Sequence, residues 1–269
     1  MDRSGSLAII GAGAMGTAFV RGVLAVGVYD KDSIVLSDSD AAKGRAVSAE
    51  LGVSFCETNA QAVASASVVL LAVKPAIVDA VARDIKDAVD EDTVVVSIAA
   101  GVSIAKISSA LRPGTAVVRA MPNTPVQIGA GAIGFSRGPG ASDKHVARAS
   151  AIFEAVGIAV EVPERLLNAV TGLSGSGPAY VFLIVEAMSD AGVAAGLPRD
   201  LALALAAQTV AGSARLVIDS GKHPAQLKDQ VTSPGGTTIA GLASLEKGGV
   251  RAAVMRAVAS AVKRAEELG

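Results

Sequence analysis

Aromatic side chains are scarce in this sequence of 269 residues: it has no tryptophan, two tyrosines and five phenylalanines. Because 51% of the chain is nevertheless apolar, alanine carries much of that bulk beside 29 glycines, which favours closely packed helices and tight backbone turns. Cys56 is the single cysteine, which excludes an internal disulfide and leaves the redox compartment open. As a metal ligand Cys56 would need partners, and His145 and His223 are far away in sequence, so it reads as a packed thiol and no metal site is expected. Neither sign of charge is in excess: 24 basic and 25 acidic residues are intermixed, giving a formal charge of −1. That balance excludes the basic stripe that nucleic acid requires and any like-charged tail. No apolar run reaches the roughly 18 residues of a membrane span. The opening Met1–Ser6 is short, polar and acid-bearing, unlike the basic start of a signal peptide. A soluble cytoplasmic protein is the expectation, with a length that suits one large domain or two medium ones.

What is present falls into two rhythms. Up to about residue 161, short β-branched runs alternate with alanine-rich stretches. The expected strands are Leu7–Ile10, Ile34–Leu36, Val68–Val73, Val94–Ile98, Val117–Arg119, Ala132–Phe135 and Ile158–Val162. Their nearly continuous apolar character fits parallel strands covered on both faces, and the helices between them imply right-handed βαβ crossovers. After Pro163 the strand signal stops. Helices are expected over Glu164–Thr171, Ala179–Ala195, Arg199–Ser220, Ala225–Val231, Thr237–Lys247 and Val250–Leu268. The reading is an α/β chain: a doubly wound dinucleotide-binding domain over residues 1–161, then an all-α domain over 162–269. Leu201–Val217 is apolar around most of its circumference and must be buried on all sides. So short a helical domain offers little room for that, so a partner subunit is expected to cover it; the alternative is a central helix within one chain's bundle.

Gly11-Ala12-Gly13-Ala14-Met15-Gly16 directly follows the first strand and opens a helix. In that setting Gly11 allows the tight turn, Gly13 lets the backbone approach a pyrophosphate, and Gly16 permits close helix–strand packing. Free N–H groups and the helix dipole then face the phosphates. The plainer alternative is a strand–helix turn without a ligand. About twenty residues on, the second strand ends at Ser37-Asp38-Ser39, where an acid favours a ribose 2′-OH over a 2′-phosphate. Ser37 and Ser39, with Lys43 or Arg45 a helical turn on, suit a phosphate instead, and Asp38 or Ser39 could simply cap the next helix. The sequence leaves NADPH and NADH both open.

Further motifs lie at carboxyl ends of expected strands, where open α/β sheets bind ligands: Ala72-Val73-Lys74-Pro75, Ala99-Ala100-Gly101 and Met121-Pro122-Asn123-Thr124-Pro125. Later come Thr171–Tyr180, reading TGLSGSGPAY, and Asp229–Thr238, reading DQVTSPGGTT. In the second of these, Pro234-Gly235-Gly236 stops one helix and Thr237-Thr238-Ile239 opens another. The result is a helix N-terminus with free N–H groups that favours an anion such as a carboxylate. A hydroxyl cap beside a glycine turn accounts for one such residue but not for the whole run.

This ordered set resembles the pyrroline-5-carboxylate reductases from the first strand to about Leu268. The resemblance implies a Rossmann-like domain, a helical dimerisation domain, NADPH or NADH as cofactor, and hydride transfer to the C=N bond of 1-pyrroline-5-carboxylate to give L-proline. It implies a homodimer that in this family often builds into larger rings. Substrate-binding residues are implied at Glu164, Ser233, Gly235, Gly236, Thr237 and Thr238, with Thr238 orienting the ring nitrogen and relaying a proton. Asn59 matches a position near the adenosine ribose, Lys74 and Ala100 match contacts along the cofactor, and Ser176 and Gly177 lie at a helix break against the active site. Gln230 stands where many relatives have asparagine, at a cofactor contact. Neither histidine is given a catalytic role, since both fall in turn-like or exposed contexts. Two other readings remain: a two-domain dehydrogenase acting on β-hydroxyacids, which would use a lysine of the second domain, and a nucleotide-sensing module without turnover.

Overall fold

The β-branched runs of the first half become strands and the alanine-rich stretches become helices. The computed structural model describes residues 5–268; residues 1–4, part of the opening segment and of the first domain, and residue 269 lie outside those described. β1 (Ser6–Ile10) leads to α1 (Ala14–Val26), β2 (Ile34–Ser37) to α2 (Ala41–Leu51), and β3 (Ser54–Phe55) to α3 (Asn59–Val63). β4 (Ala66–Leu71) and α4 (Val78–Ile85) precede β5 (Val94–Ser97) and α5 (Ile104–Ala110). β6 (Ala116–Met121), β7 (Gly131–Arg137), α6 (Asp143–Glu154) and β8 (Gly157–Glu161) follow. All eight strands form one sheet in the order β3-β2-β1-β4-β5-β6-β7-β8.

The sheet departs from the expected all-parallel arrangement. β1 to β6 are parallel, but β7 returns antiparallel to β6 and β8 runs parallel to β7. The β6–β7 connection contains only a 3₁₀ stretch, Thr124–Ile128, too short for the crossover a parallel return needs. β8 is an edge strand with Ile158 and Val160 exposed, so it is not covered on both faces. The two-residue β3 is too short to carry a periodic signal.

Alternation along the strands divides the core. Leu7, Ile9, Val68 and Val96 pack with Phe19, Ile152 and Phe153 on one face, while Ala8, Ile10, Val69 and Val95 pack with Ile85 and Ile107 on the other. Phe153 sits edge-on to Phe19 at 6.4 Å and 5.3 Å from Phe135, so three of the few aromatics gather in one spot.

His145 is not exposed, as its sequence context suggested, but buried in the first turn of α6. Its Nδ1 accepts the Ser142 N–H at 3.1 Å, which places the neutral ring's proton on Nε2, 3.8 Å from Asp92 Oδ1. Burial pushes its pKa below the ordinary value of 6.5, outweighing the pull of Asp92. The unfolded chain therefore takes up a proton that the folded chain resists, and stability falls as the pH drops below 6.5. His145→Gln keeps a side chain able to close the capping box but cannot titrate. The expected result is a smaller loss of Tm between about pH 8 and about pH 5.5 than in the unsubstituted protein. An equal loss in both would show that the folded His145 takes up a proton as readily as the unfolded chain does.

The helical half begins with a 3₁₀ turn, Glu164–Leu166, then α7 (Leu167–Val170) and a single π turn, Thr171–Gly175. α8 (Gly177–Ala194), α9 (Arg199–Ser220), α10 (Pro224–Gln230), α11 (Thr237–Lys247) and α12 (Val250–Leu268) complete it. The chain forms two compact units: one runs through Ser176 and takes in the chain from Ser260 onward, the other is Gly177–Ala259. Within the second, α8 and α9 form a hairpin turned by Gly196 at φ 99°. They approach where a Cβ on Gly192 would lie 3.0 Å from that of Ala202. Arg199 pairs with Asp190 and donates to Ser189 Oγ at 3.3 Å.

α9 buries only Ala202 and Ala206; Leu203, Leu205 and Leu216 are about half exposed and Ile218 is 73% exposed. By length and composition α9 could cross a membrane, with a mean hydropathy of 1.6. The sequence expectation counted uninterrupted apolar residues and so passed over this window. Within one chain the helix is not the buried centre of a bundle, and its apolar surface is exposed.

Candidate active site

The glycine loop uses its three glycines differently. Gly11 takes φ 107°, and a Cβ there would lie 2.5 Å from the Ala72 carbonyl oxygen on the neighbouring strand's extension. A Cβ on Gly16 would collide with the Gly11 carbonyl. A Cβ on Gly13 would meet nothing nearer than Lys43 Nζ at 4.0 Å. Two glycines therefore close the fold, and the third leaves open space over the loop. Gly13 is also the N-cap of α1 and has no side chain to accept the first N–H groups of that helix, which point toward this space. β1 lies between β2 and β4, so the loop sits where successive connections leave in opposite directions. These features fit a dinucleotide pyrophosphate.

Asp38 faces inward to the loop. Its Oδ2 accepts the Ala12 N–H at 2.7 Å, its Oδ1 accepts the Asp40 N–H at 2.8 Å, and Lys43 Nζ is 3.6 Å away. The residue capping α2 is Asp40, which accepts the Lys43 N–H, rather than Asp38 or Ser39. Ser37 is buried and donates to Asn59 Oδ1 at 2.9 Å; Asn59 in turn donates to Asp84. Ala12 is buried, Ala14 exposed and Met15 packed against the core. Farther along the carboxyl edge, Val73 is half-buried, while Lys74 is exposed and precedes a short 3₁₀ turn begun by Pro75. Ala99 is buried and Ala100 exposed after β5.

Past β6 the same edge carries contacts that sequence reasoning missed. Glu164 Oε1 accepts the Ile104 N–H at 2.7 Å, at the start of α5, and pairs with Arg119 at 3.1 Å. Arg119 is 9% exposed; an arginine within the otherwise apolar run of β6 was the available signal. Asn123 Nδ2 donates to the Ser174 carbonyl at 3.0 Å, and its Oδ1 accepts the Ala132 N–H at 2.9 Å. The expected helix break after Thr171 is a π turn that runs into α8, rather than an interruption.

The second unit holds the other predicted group. Ser233 to Gly236 form a turn closed by the Gly236 N–H on the Ser233 carbonyl at 3.1 Å, with Gly235 at φ 66°. The positive φ of Gly235 favours glycine, and a Cβ on Gly236 would force the Ser233 hydroxyl to turn away. Gly236 caps α11 without a side chain, and the first bond to its carbonyl comes from the Ala240 N–H. The N–H groups of Thr237, Thr238 and Ile239 are left without a helical acceptor. Thr238 is half-buried and Thr237 exposed, and Gln230 is exposed at the end of α10. Among the described residues no three His, Cys, Asp or Glu side chains cluster as metal ligands.

A doubly wound sheet with an open glycine loop at its reversal point, followed by helices with an anion-ready N-terminus, has the layout of a nicotinamide-dependent oxidoreductase. Comparison with known proteins narrows this. The pyrroline-5-carboxylate reductase dimerisation family matches residues 164–268, and the coenzyme F420-dependent NADP oxidoreductase family matches residues 6–101. The pyrroline-5-carboxylate reductase of Methanosarcina acetivorans is 44% identical over 263 residues, covering 98% of this chain and 97% of that protein. The solved structure of such a reductase from Coxiella burnetii is 36% identical with a TM-score of 0.94, covering 99% of each chain. That of Plasmodium falciparum pyrroline carboxylate reductase, solved with NADP bound, is 31% identical with a TM-score of 0.88, again over 99% of each.

The chain belongs to the pyrroline-5-carboxylate reductase family. It is an NAD(P)H-dependent oxidoreductase whose helical half is a dimerisation domain.

Proposed function

We propose that this enzyme reduces 1-pyrroline-5-carboxylate to L-proline with the glycine loop holding the cofactor and the turn before α11 holding the substrate. The observation that carries the reading is the α11 N-terminus, where a Gly-Gly turn leaves the N–H groups of Thr237, Thr238 and Ile239 without a helical acceptor and Gly236 offers no side-chain cap. A carboxylate docked there receives charge-assisted hydrogen bonds and the favourable end of the helix dipole. Ser233, Gly235, Gly236 and Thr237 shape this cradle, and Thr238 aligns the ring nitrogen. Bound NADPH or NADH supplies the hydride that adds to the imine carbon, and a proton on the nitrogen completes the amine. Gly11 to Gly16 hold the pyrophosphate, while Ser37, Asp38 and Asn59 set the adenosine side. Val73, Lys74, Pro75, Ala99 and Ala100 line the way along the carboxyl edge, with Gln230 as a further cofactor contact. Glu164 enters as a substrate-side carboxylate whose position is fixed by Arg119 and the start of α5. The cytoplasm is the proposed location.

The test is the loss of nicotinamide absorbance with pyrroline-5-carboxylate, run separately with NADPH and NADH. Turnover with either supports the reading. Its absence in folded, dimeric protein would favour a nucleotide sensor.

Cofactor preference gives a further prediction. Both Asp38 oxygens already accept backbone N–H groups. Asp38→Asn turns an amide donor toward one of these donors and loosens the loop. KM is expected to rise for both cofactors by about 3- to 10-fold, the effect of roughly one hydrogen bond, with their ratio little changed. A large swing of the ratio toward NADPH would mean that Asp38 faces the ribose instead.

A further inference from the structure

We propose that Asn123 is a positioning residue for hydride transfer, acting by holding the π turn Thr171–Gly175 against the carboxyl edge of β6. The inference rests on the reductase reading above. A π turn is rare and persists only when its surroundings favour it over the α-helical alternative. Here the Ser176 N–H reaches the Thr171 carbonyl at 2.8 Å, the wide ring that defines the turn. In a continuous α-helix the Ser174 carbonyl would receive the N–H of residue 178, but residue 178 is a proline and has none. Asn123 Nδ2 supplies the missing donor at 3.0 Å.

The orientation of the Asn123 amide is fixed by its partners. The Ala132 N–H can only donate and the Ser174 carbonyl can only accept, so Oδ1 faces the first and Nδ2 the second. One side chain thus ties together the segment after β6, the start of β7 and the π turn. A second contact seats the turn at the same place: a Cβ on Gly175 would lie 2.6 Å from Met121 Cε, so the turn lies directly on the last residue of β6.

The location gives this clamp its role. With the pyrophosphate over the β1 loop and the adenosine toward β2, the reducing end of a dinucleotide extends past β4 and β5 toward β6. The π turn stands at that end. A displacement of about 1 Å between reacting atoms can cost on the order of 100-fold in rate.

The experiment uses Asn123→Asp in the full-length dimer. The aspartate keeps an acceptor for Ala132 but sets an oxygen against the Ser174 carbonyl. The expected result is a fall in kcat of about 10- to 100-fold, a larger primary deuterium isotope effect with C4-deuterated NADPH, and faster amide exchange confined to the π turn. NADPH affinity, read by fluorescence titration, stays within about 3-fold, less than one hydrogen bond. A lower kcat with unchanged isotope effect and unchanged local exchange would overturn the proposal, since a merely structural role lowers the active fraction alone. So would unaltered kinetics. If the aspartate variant does not fold, Asn123→Ala removes both hydrogen bonds without setting an oxygen against the Ser174 carbonyl, and the same isotope and exchange changes are required of it. Failure of the unsubstituted enzyme to reduce pyrroline-5-carboxylate would sink the reductase reading itself, while the exchange measurement would still report whether Asn123 holds the turn.

Discussion

Thr238→Ala is expected to lower kcat/KM for the imine by about 10- to 1000-fold, the range of one lost hydrogen bond or proton relay. The hydroxyls of Thr171, Ser174, Thr209, Ser220 and Thr232 all donate to a carbonyl four residues back. Thr238 makes no such bond among the described residues, because the carbonyl four residues back belongs to Pro234 in the turn, outside α11. Its hydroxyl is therefore available to a ligand, and its loss leaves no protein group unsatisfied. Alanine is also the better helix former, by roughly half a kcal/mol, so the melting temperature should hold or rise while the rate falls. Thr237→Ala is the comparison: it keeps the backbone N–H that Thr237 gives the cradle and removes only its exposed hydroxyl, so its loss of rate should be much the smaller. Steady-state kinetics beside a thermal melt decide the matter: unchanged activity would remove Thr238 from the mechanism, and parallel losses would indicate local damage.

Gly13→Val should weaken NADPH binding by about 100-fold or more, the loss of one or two charge-assisted hydrogen bonds to the pyrophosphate. The protein has room for the added side chain: the nearest atom to a Cβ there is the flexible Lys43 Nζ at 4.0 Å, and φ is −74°, open to any residue. The valine fills ligand space rather than protein space. Replacing glycine by valine at an N-cap costs stability on the order of 1 kcal/mol, so the fold should survive. Gly11→Val makes the contrast, because it meets both a φ of 107° and the Ala72 carbonyl and should compromise folding itself. Titration of cofactor fluorescence with both variants, alongside melts, separates the two. Tight NADPH binding by folded Gly13→Val would place the pyrophosphate elsewhere.

The sequence was informative wherever chemistry is local. Gly11, Gly13 and Gly16 are legible because backbone curvature and close approach depend on the missing Cβ at those positions alone. Pro234-Gly235-Gly236 is legible for the same reason, since a proline followed by two glycines cannot continue a helix. Other features were hidden because their cause lies far away along the chain. That the two oxygens of Asp38 accept the Ala12 and Asp40 N–H groups could not be read from its neighbours. Nothing near Asn123 says that its amide will meet Ser174, 51 residues on. Nor does the context of His145 announce burial, which depends on how α6 packs on the sheet.

By itself, then, the sequence determined the alternation of strands and helices, the open glycine loop, the anion-ready helix start and the family motifs, because each is written in adjacent residues. Only the tertiary structure decided the antiparallel turn of β7, the inward engagement of Asp38, the Arg119–Glu164 pair and the clamped π turn. Those depend on which distant groups are brought within hydrogen-bonding distance, and a backbone N–H or carbonyl left without a partner carries no mark of its own in the sequence.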